Sequence, residues 1–409
     1  MLNKDQLMQQ AAALAPEMVA VRRELHAHAE TGFDLHDTLA IVKGKLEEMD
    51  LTPVPCGKAG FVVLLGGKHP GKTILLRADM DALPIEEASG EAFSCPNGRM
   101  HACGHDMYTA MLLGAARLLK AHEDEIQGTV KLMFQPAEEI FCGSQDMIDA
   151  GVLKNPDVDA AVMMHVMAGM PIPSGCVLIM APGVSAAAAD VFTINIQGKG
   201  CHGSSPQSGV DPLNAAAHIL LALQELNARE LGTSDSAALT IGSMNGGTAA
   251  NVIPDSAVMR GSLRTFDEET RAFLKQRIRE VSEGTAAVFR AKAEVTFDSG
   301  CPSLYNDPAL SADAEKYLGQ LLGRGAIPVA QMQSAAGGKK VSGGGSEDFA
   351  AVSRQVPSLM LGLAAGEPDK GYAFPQHHPK VRFDESVLPV GAAVHTWMAL
   401  SWLADHAGQ

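Results

Sequence analysis

Residues 100–106, "MHACGHD", bring His101, Cys103, His105 and Asp106 together just ahead of an apolar, helix-like run. A cysteine in that company can be a redox thiol, a nucleophile, a metal ligand or a small buried residue. A dithiol is disfavoured, because no Cys-x-x-Cys is present and the nearest cysteine in sequence is Cys95, eight residues away. Acidic side chains recur after other apolar runs: Asp79 and Asp81 follow "TILLRA" (73–78), and Glu138 and Glu139 follow "TVKLMF" (129–134). His165 lies near the end of "AAVMMHV" (160–166). Thiol, imidazole and carboxylate donors in one place suit Zn²⁺, Mn²⁺ or a related divalent ion. Carboxylates crowding a cysteine oppose its thiolate unless a cation sits among them, which weakens the nucleophile reading and favours the metal.

These donors need elements that bring them to one edge. "FVVLLGG" (61–67) and the three runs above read as buried strands, with helical patterns near 37–50, 108–122 and 143–151. Alternating strands and helices imply an α/β layer with a central, mostly parallel sheet flanked by helices. In such a sheet the carboxyl ends of the strands share an edge where sites form, so Asp79, Asp81, Glu138, Glu139, His165, Cys103 and His105 are expected to converge.

The pattern changes near residue 187. "DVFTINIQ" (190–197) alternates, with Phe192, Ile194 and Ile196 on one face. A helix near 210–229, strands near 238–243 and 256–265, a helix near 267–290 and a strand near 292–297 follow. They predict a four-stranded sheet with two helices, an α+β unit at 187–298 inserted into a larger domain made of 1–186 and 299–409. The glycine-rich "AAGGKKVSGGGS" (335–346) reads as a loop.

Composition bounds the function. The 409 residues are 46% hydrophobic and 19% charged, as in ordinary globular chains, and the formal net charge of −15 argues against nucleic acid or an anionic membrane as partner. Leu7, Leu14, Met18, Val21 and Leu25 recur at helical spacing, so the N-terminus reads as one amphipathic helix without a signal peptide. No run reaches the ~18 uninterrupted apolar residues of a membrane span. Seven cysteines without framework spacing fit a reducing compartment, by default the cytoplasm.

The motifs "RRELHAHAETGF" (22–33), "LLRADMDALPIEE" (75–87), "MHACGHDMYTAMLLGAARLL" (100–119), "FQPAEE" (134–139), "GKGCHGSSPQSGVDP" (198–212), "NVIPD" (251–255), "SEDFA" (346–350) and "HHP" (377–379) occur in one order over nearly the whole chain. Together they resemble the metal-dependent amidohydrolases of the aminoacylase group, which include hippurate hydrolases and plant auxin-conjugate hydrolases. The resemblance implies two divalent ions, Mn²⁺ or Zn²⁺ with Co²⁺ and Ni²⁺ as alternatives. Their ligands would be Cys103, His105, Glu139, His165 and one of His377 or His378. The family's His-x-Pro pattern favours His377. It implies Glu138 as general base, Asp81 as support of the metal site, His202 as oxyanion donor, and Asn251 and Arg264 as holders of the substrate carboxylate. Asp79 stands where related peptidases carry a histidine ligand, so the resemblance gives it no ligand role. His101 and Asp106 are left as supporting or helix-capping residues.

The inserted unit is then a lid and dimerisation domain, and in related enzymes its site residues can come from a partner subunit. The implied activity is hydrolysis of N-acyl or N-aroyl amino acids to a carboxylic acid and a free amino acid. The small-molecule substrate would be the main partner, with a homodimer through the lid. Cleavage of dipeptides or short peptides on the same site is the alternative, and a non-catalytic metal-dependent binding protein is the rival from another class. Where family members show Gly-Gly-Ala after the glutamate pair, this chain has "IFCGSQ" (140–145), which changes the wall near Cys142.

Overall fold

The computed structural model describes residues 2–335 and 345–408; residues 336–344 of the glycine-rich stretch lie outside them. The chain divides into two compact units, one of Met1–Ser185, Tyr305–Ser342 and Asp348–Gln409, the other of Ala186–Leu304 and Gly343–Glu347.

The first unit is built on eight strands: β1 (Val54–Cys56), β2 (Gly60–Gly66), β3 (Thr73–Asp79), β4 (Thr129–Gln135), β5 (Ala160–Met167), β6 (Val177–Ile179), β7 (Ala326–Pro328) and β8 (Ser358–Ala364). Their order is β1-β2-β4-β3-β5-β8-β6-β7. The pairs β3/β4, β3/β5, β5/β8 and β6/β7 are parallel, while β1/β2, β2/β4 and β6/β8 are antiparallel. The centre is therefore parallel as expected, inside a sheet that is mixed overall. β3 is buried at every position, as a central strand covered on both faces must be.

The helix His105–Ala121 lies against this sheet, and almost every residue along it is buried. It starts three residues earlier than the periodicity indicated. Gly104 takes a left-handed conformation at the N-cap (φ 94), and a Cβ there would meet Val166 Cγ2 at 2.5 Å. Only glycine allows both this φ and this approach. His105 thus sits in the first helical turn rather than in a preceding loop.

The N-terminus does not form the one continuous amphipathic helix that its apolar spacing predicts. Two helices, Lys4–Ala13 and Ala15–Ala27, replace the single one, and Pro16 stands in the first turn of the second. A proline has no N–H for the preceding turn but suits a helix start. Among the described residues one helical segment, Glu385–Asp405, is long and apolar enough to cross a membrane, and 67% of its most apolar window is buried. Its Leu388, Val394, Met398 and Trp402 belong to the first unit's core.

The second unit has a four-stranded antiparallel sheet in the order Ala237–Gly246, Ser256–Thr265, Ala188–Gln197, Lys292–Cys301. Phe192, Ile194 and Ile196 share a core with Ile219 and Leu223 of the helix Pro212–Glu225 and with Leu274 and Ile278 of the helix Glu268–Val288. Both helices begin on an aspartate cap: Asp211 accepts from Leu213 N–H and Asn214 N–H, and Asp267 from Thr270 N–H.

Candidate metal centre

Three strand ends and one helix start bring the first unit's acidic, imidazole and thiol groups together. β3 ends on Asp79, and Asp81 lies two residues beyond it. β4 ends on Gln135, and the following turn carries Glu138 and Glu139 between Ala137 (φ 56) and Phe141 (φ 55). His377 also has positive φ (64), so three of the six such non-glycine residues among the described ones fall at this site. Left-handed backbone at a non-glycine is strained and persists where the surroundings enforce it, which is common at functional loops.

Asp81 supplies part of that enforcement. It is fully buried, and its carboxylate accepts Glu138 N–H at 2.9 Å and Glu139 N–H at 3.2 Å. Its Oδ1 also lies 3.6 Å from His105 Nδ1. The other ring nitrogen, His105 Nε2, faces three carboxylates: Asp79 Oδ2 at 3.6 Å, Glu139 Oε1 at 3.7 Å and Glu138 Oε2 at 3.9 Å. Burial alone would lower the pKa of His105, but the Asp79 carboxylate above all, with Cys103 and Asp81, outweighs it and holds the pKa well above the usual value.

Glu139 Oε1 is also 3.6 Å from His377 Nε2. Within the first unit two donor groups result, Asp79/His105/Glu138 and Cys103/Glu139/His377, and within each the ligand atoms lie within 4.8 Å of one another. Glu139 joins the two. Cys103 Sγ is 3.5 Å from His165 Nε2, while His165 Nδ1 is 2.7 Å from the Val166 carbonyl. That carbonyl can only accept, so Nδ1 holds the proton and the Nε2 lone pair faces Cys103. Burial pushes His165 down to about 4, so its ring is neutral at pH 7, as a ligand requires.

The residues fit a divalent cation. Burial, and after it the Glu139 carboxylate, push the Cys103 thiol up. Asp79 Oδ1 is buried without a hydrogen-bond partner among the described residues. Four carboxylates and a thiol around two neutral imidazoles and His105 leave negative charge that a cation among them would balance.

His378 lies apart from these groups: its ring stacks on Phe374 at 4.3 Å, and its Nδ1 accepts Lys380 N–H at 3.0 Å. Asp106 sits in the first turn of the helix His105–Ala121, and its Oδ1 accepts Met107 N–H at 3.0 Å. It is buried, with Oδ2 2.7 Å from Arg22 Nε and 2.8 Å from His26 Nδ1. His101 is buried as well, neither ring nitrogen has a hydrogen-bond partner among the described residues, and burial pushes it down to about 3.

Several supporting residues escaped the sequence reading. Arg77, fully buried on β3, donates to Asp79 Oδ2 at 2.7 Å, Gln135 Oε1 at 2.8 Å and Asp348 Oδ1 at 2.9 Å. Asp348 also accepts from Gln135 Nε2 at 2.7 Å and from Ser144 N–H at 2.9 Å. Tyr108 donates its hydroxyl to the Cys103 carbonyl at 2.9 Å, and its ring lies 5.3 Å from that of His105 and 5.2 Å from that of His165. A charged residue inside an otherwise apolar strand run was the available signal for Arg77.

In the second unit, His202 pairs with Val252 in a short antiparallel ribbon, and Gly203 N–H donates to the Asn251 carbonyl at 2.8 Å. His202 Nδ1 accepts Ser204 N–H at 3.2 Å, which leaves the proton of the neutral ring on Nε2 as an outward donor. His202 and Asn251 are exposed, whereas Arg264 is half-buried and donates to Ser346 Oγ.

The model of peptidase family M20/M25/M40 matches residues 75–401. The sequence is 38% identical over 398 residues to IAA-amino acid hydrolase ILR1-like 2 of Arabidopsis thaliana, covering 96% of this chain and 86% of that protein. It is 36% identical over 380 residues to N-acetyl-L-cysteine deacetylase of Bacillus subtilis, covering 92% and 86%. The structure is similar to that of the Bacillus subtilis YXEP protein, a dinuclear metal binding peptidase, with a TM-score of 0.75 and 32% identity over 96% of this chain and 99% of that one.

Proposed function

The chain belongs to peptidase family M20/M25/M40, and from that premise we propose that this metal-dependent hydrolase is a dinuclear amidohydrolase of N-acyl or N-aroyl amino acids. The observation that carries the reading is the pair of donor groups joined by Glu139, with a second glutamate, Glu138, beside it. The two relatives are named for an amino-acid conjugate and an N-acetylated amino acid, and both names support an amide on an amino-acid nitrogen as the scissile bond.

In this reading Cys103, His105, Glu139, His165 and His377 hold two divalent ions, Mn²⁺ or Zn²⁺, and Asp81 fixes His105 and the glutamate turn from behind. Such ions supply Lewis acidity and activate water near neutral pH. Glu138 takes a proton from the attacking water and returns it to the departing amine. The Nε2–H of His202 is the donor for the oxyanion. The planar fork of Arg264, with the Asn251 amide, suits the substrate carboxylate. A second carboxylate beside the ligand favours catalysis over a non-catalytic binding role. All seven cysteines are free, which supports a cytoplasmic location, and a homodimer through the second unit completes the proposal.

The test is a panel of N-acetyl, N-benzoyl and longer N-acyl amino acids beside dipeptides, assayed before and after chelation. Hydrolysis of the acyl amino acids should disappear with the metal and return with Mn²⁺ or Zn²⁺. Full activity in the metal-free protein would overturn the reading, and dipeptides as the better substrates would replace it with the peptidase alternative.

A further inference from the structure

His377 occupies a conformation that a histidine adopts only at a cost. His378 N–H donates to the Pro375 carbonyl at 3.3 Å, closing a four-residue turn. His377 is its third residue, with φ 64, while Gln376, the second, is not among the residues with positive φ. That is the φ pattern of a type II turn, whose third position ordinarily takes glycine or asparagine because other side chains clash with the backbone there. An imidazole kept at a glycine position needs outside contacts to hold it.

Two contacts do so. His377 N–H donates to the Ala102 carbonyl at 2.9 Å, tying the turn to the residue before Cys103. Gln376 Nε2 donates to the Val166 carbonyl at 2.5 Å. The same carbonyl receives His165 Nδ1 at 2.7 Å. A carbonyl oxygen has two lone pairs, and here both go to elements that carry candidate ligands. One oxygen fixes the His165 tautomer and, through Gln376, the turn that presents His377.

We propose that Gln376 is a positioning residue for the metal centre, locking the strained His377 turn onto β5 so that His165 and His377 keep a fixed spacing. The inference rests on the dinuclear reading above. Without the Gln376 amide the turn loses its tie to β5 and keeps that of His377 N–H to the Ala102 carbonyl, so His377 loses its fixed approach to Glu139 while Asp79, His105 and Glu138 are untouched.

The decisive variant is Gln376→Met, which keeps side-chain length and removes the donor. Metal-free wild-type and variant chains are titrated with Zn²⁺ against a competing chelator, and the melting temperature of each metal-free chain is measured in parallel. The wild type should take up two equivalents. The variant should bind one as tightly as the wild type and the other about 10- to 100-fold more weakly, with an unchanged metal-free melting temperature. Two equivalents at wild-type affinity would overturn the proposal, and so would weakening of both together with a lowered metal-free melting temperature, since that marks a purely structural contact. A wild type that takes up no Zn²⁺ would overturn the dinuclear reading itself and this inference with it.

Discussion

Asp81 and His105 face each other across 3.6 Å, and the same carboxylate accepts the backbone N–H groups of both Glu138 and Glu139. One side chain therefore sets the imidazole at the helix start and the turn that carries the two glutamates. Asp81→Asn keeps the shape but turns an NH₂ group toward one of these donors. It should weaken Zn²⁺ binding about 10- to 100-fold, the usual effect of changing a carboxylate that orients metal ligands. Titration of the metal-free variant checks this, and wild-type affinity would exclude the role given to Asp81.

Glu138→Gln separates proton transfer from metal binding. Its Oε2 is 3.9 Å from His105 Nε2, while Glu139 Oε1 reaches both His105 Nε2 at 3.7 Å and His377 Nε2 at 3.6 Å. The variant should retain its metal, measured by elemental analysis, and lose about 10²- to 10⁴-fold in kcat, the range for removing a general base. A kcat close to the wild-type value would take the base assignment away from Glu138.

The strands that carry the site were legible because each is a predominantly apolar run: 73–78, 129–134 and 160–166 lie within β3, β4 and β5. Their exits announced Asp79, Asp81, Glu138, Glu139 and His165, since donors at strand ends stand out against apolar surroundings. The helix begins at His105, ahead of the apolar pattern that marks 108–122, because the left-handed φ of Gly104 caps it there, and periodicity carries no sign of that conformation. Arg77, Asp348 and Gln376 were not legible as partners. Arg77 and Asp348 are 271 residues apart and Gln376 and Val166 are 210 apart, and local periodicity contains nothing about pairs at that separation. The buried Arg22–His26–Asp106 cluster was hidden for the same reason, although Arg22 and His26 share one face of a helix at i, i+4.

His26 makes stability depend on pH. Its Nδ1 lies 2.8 Å from Asp106 Oδ2 and its Nε2 3.1 Å from Glu87 Oε2. Burial would lower its pKa, but the bond to Asp106, then its charge and Glu87, raise it above the ordinary value of 6.5. The stabilisation is therefore complete below about pH 6.5 and is lost as pH rises through the folded-state value. Glu87 and Asp106 act in the opposite sense. Their lowered pKa values give stability that is present above the ordinary carboxylate range and lost in acid. His26→Gln cannot carry the charge, so its melting temperature should fall less than that of the wild type between pH 6.5 and 9. Parallel curves for the two proteins would show that His26 does not titrate on this path.

His377→Gly tests whether the strained turn exists for the metal. Glycine takes φ 64 freely, and relief of the left-handed strain, about 1–2 kcal/mol, exceeds the roughly 0.5–1 kcal/mol that glycine's greater unfolded-state freedom costs. The metal-free variant should thus be as stable as the metal-free wild type, or up to about 1.5 kcal/mol more stable. With Zn²⁺ in excess the order should reverse, because a ligand that binds only the folded state adds about 2.7 kcal/mol at 100 times its Kd, and the variant lacks one ligand. Melting curves with and without Zn²⁺ read both signs. A variant that is less stable in both conditions by the same amount would mean that the His377 side chain supports the fold rather than the metal.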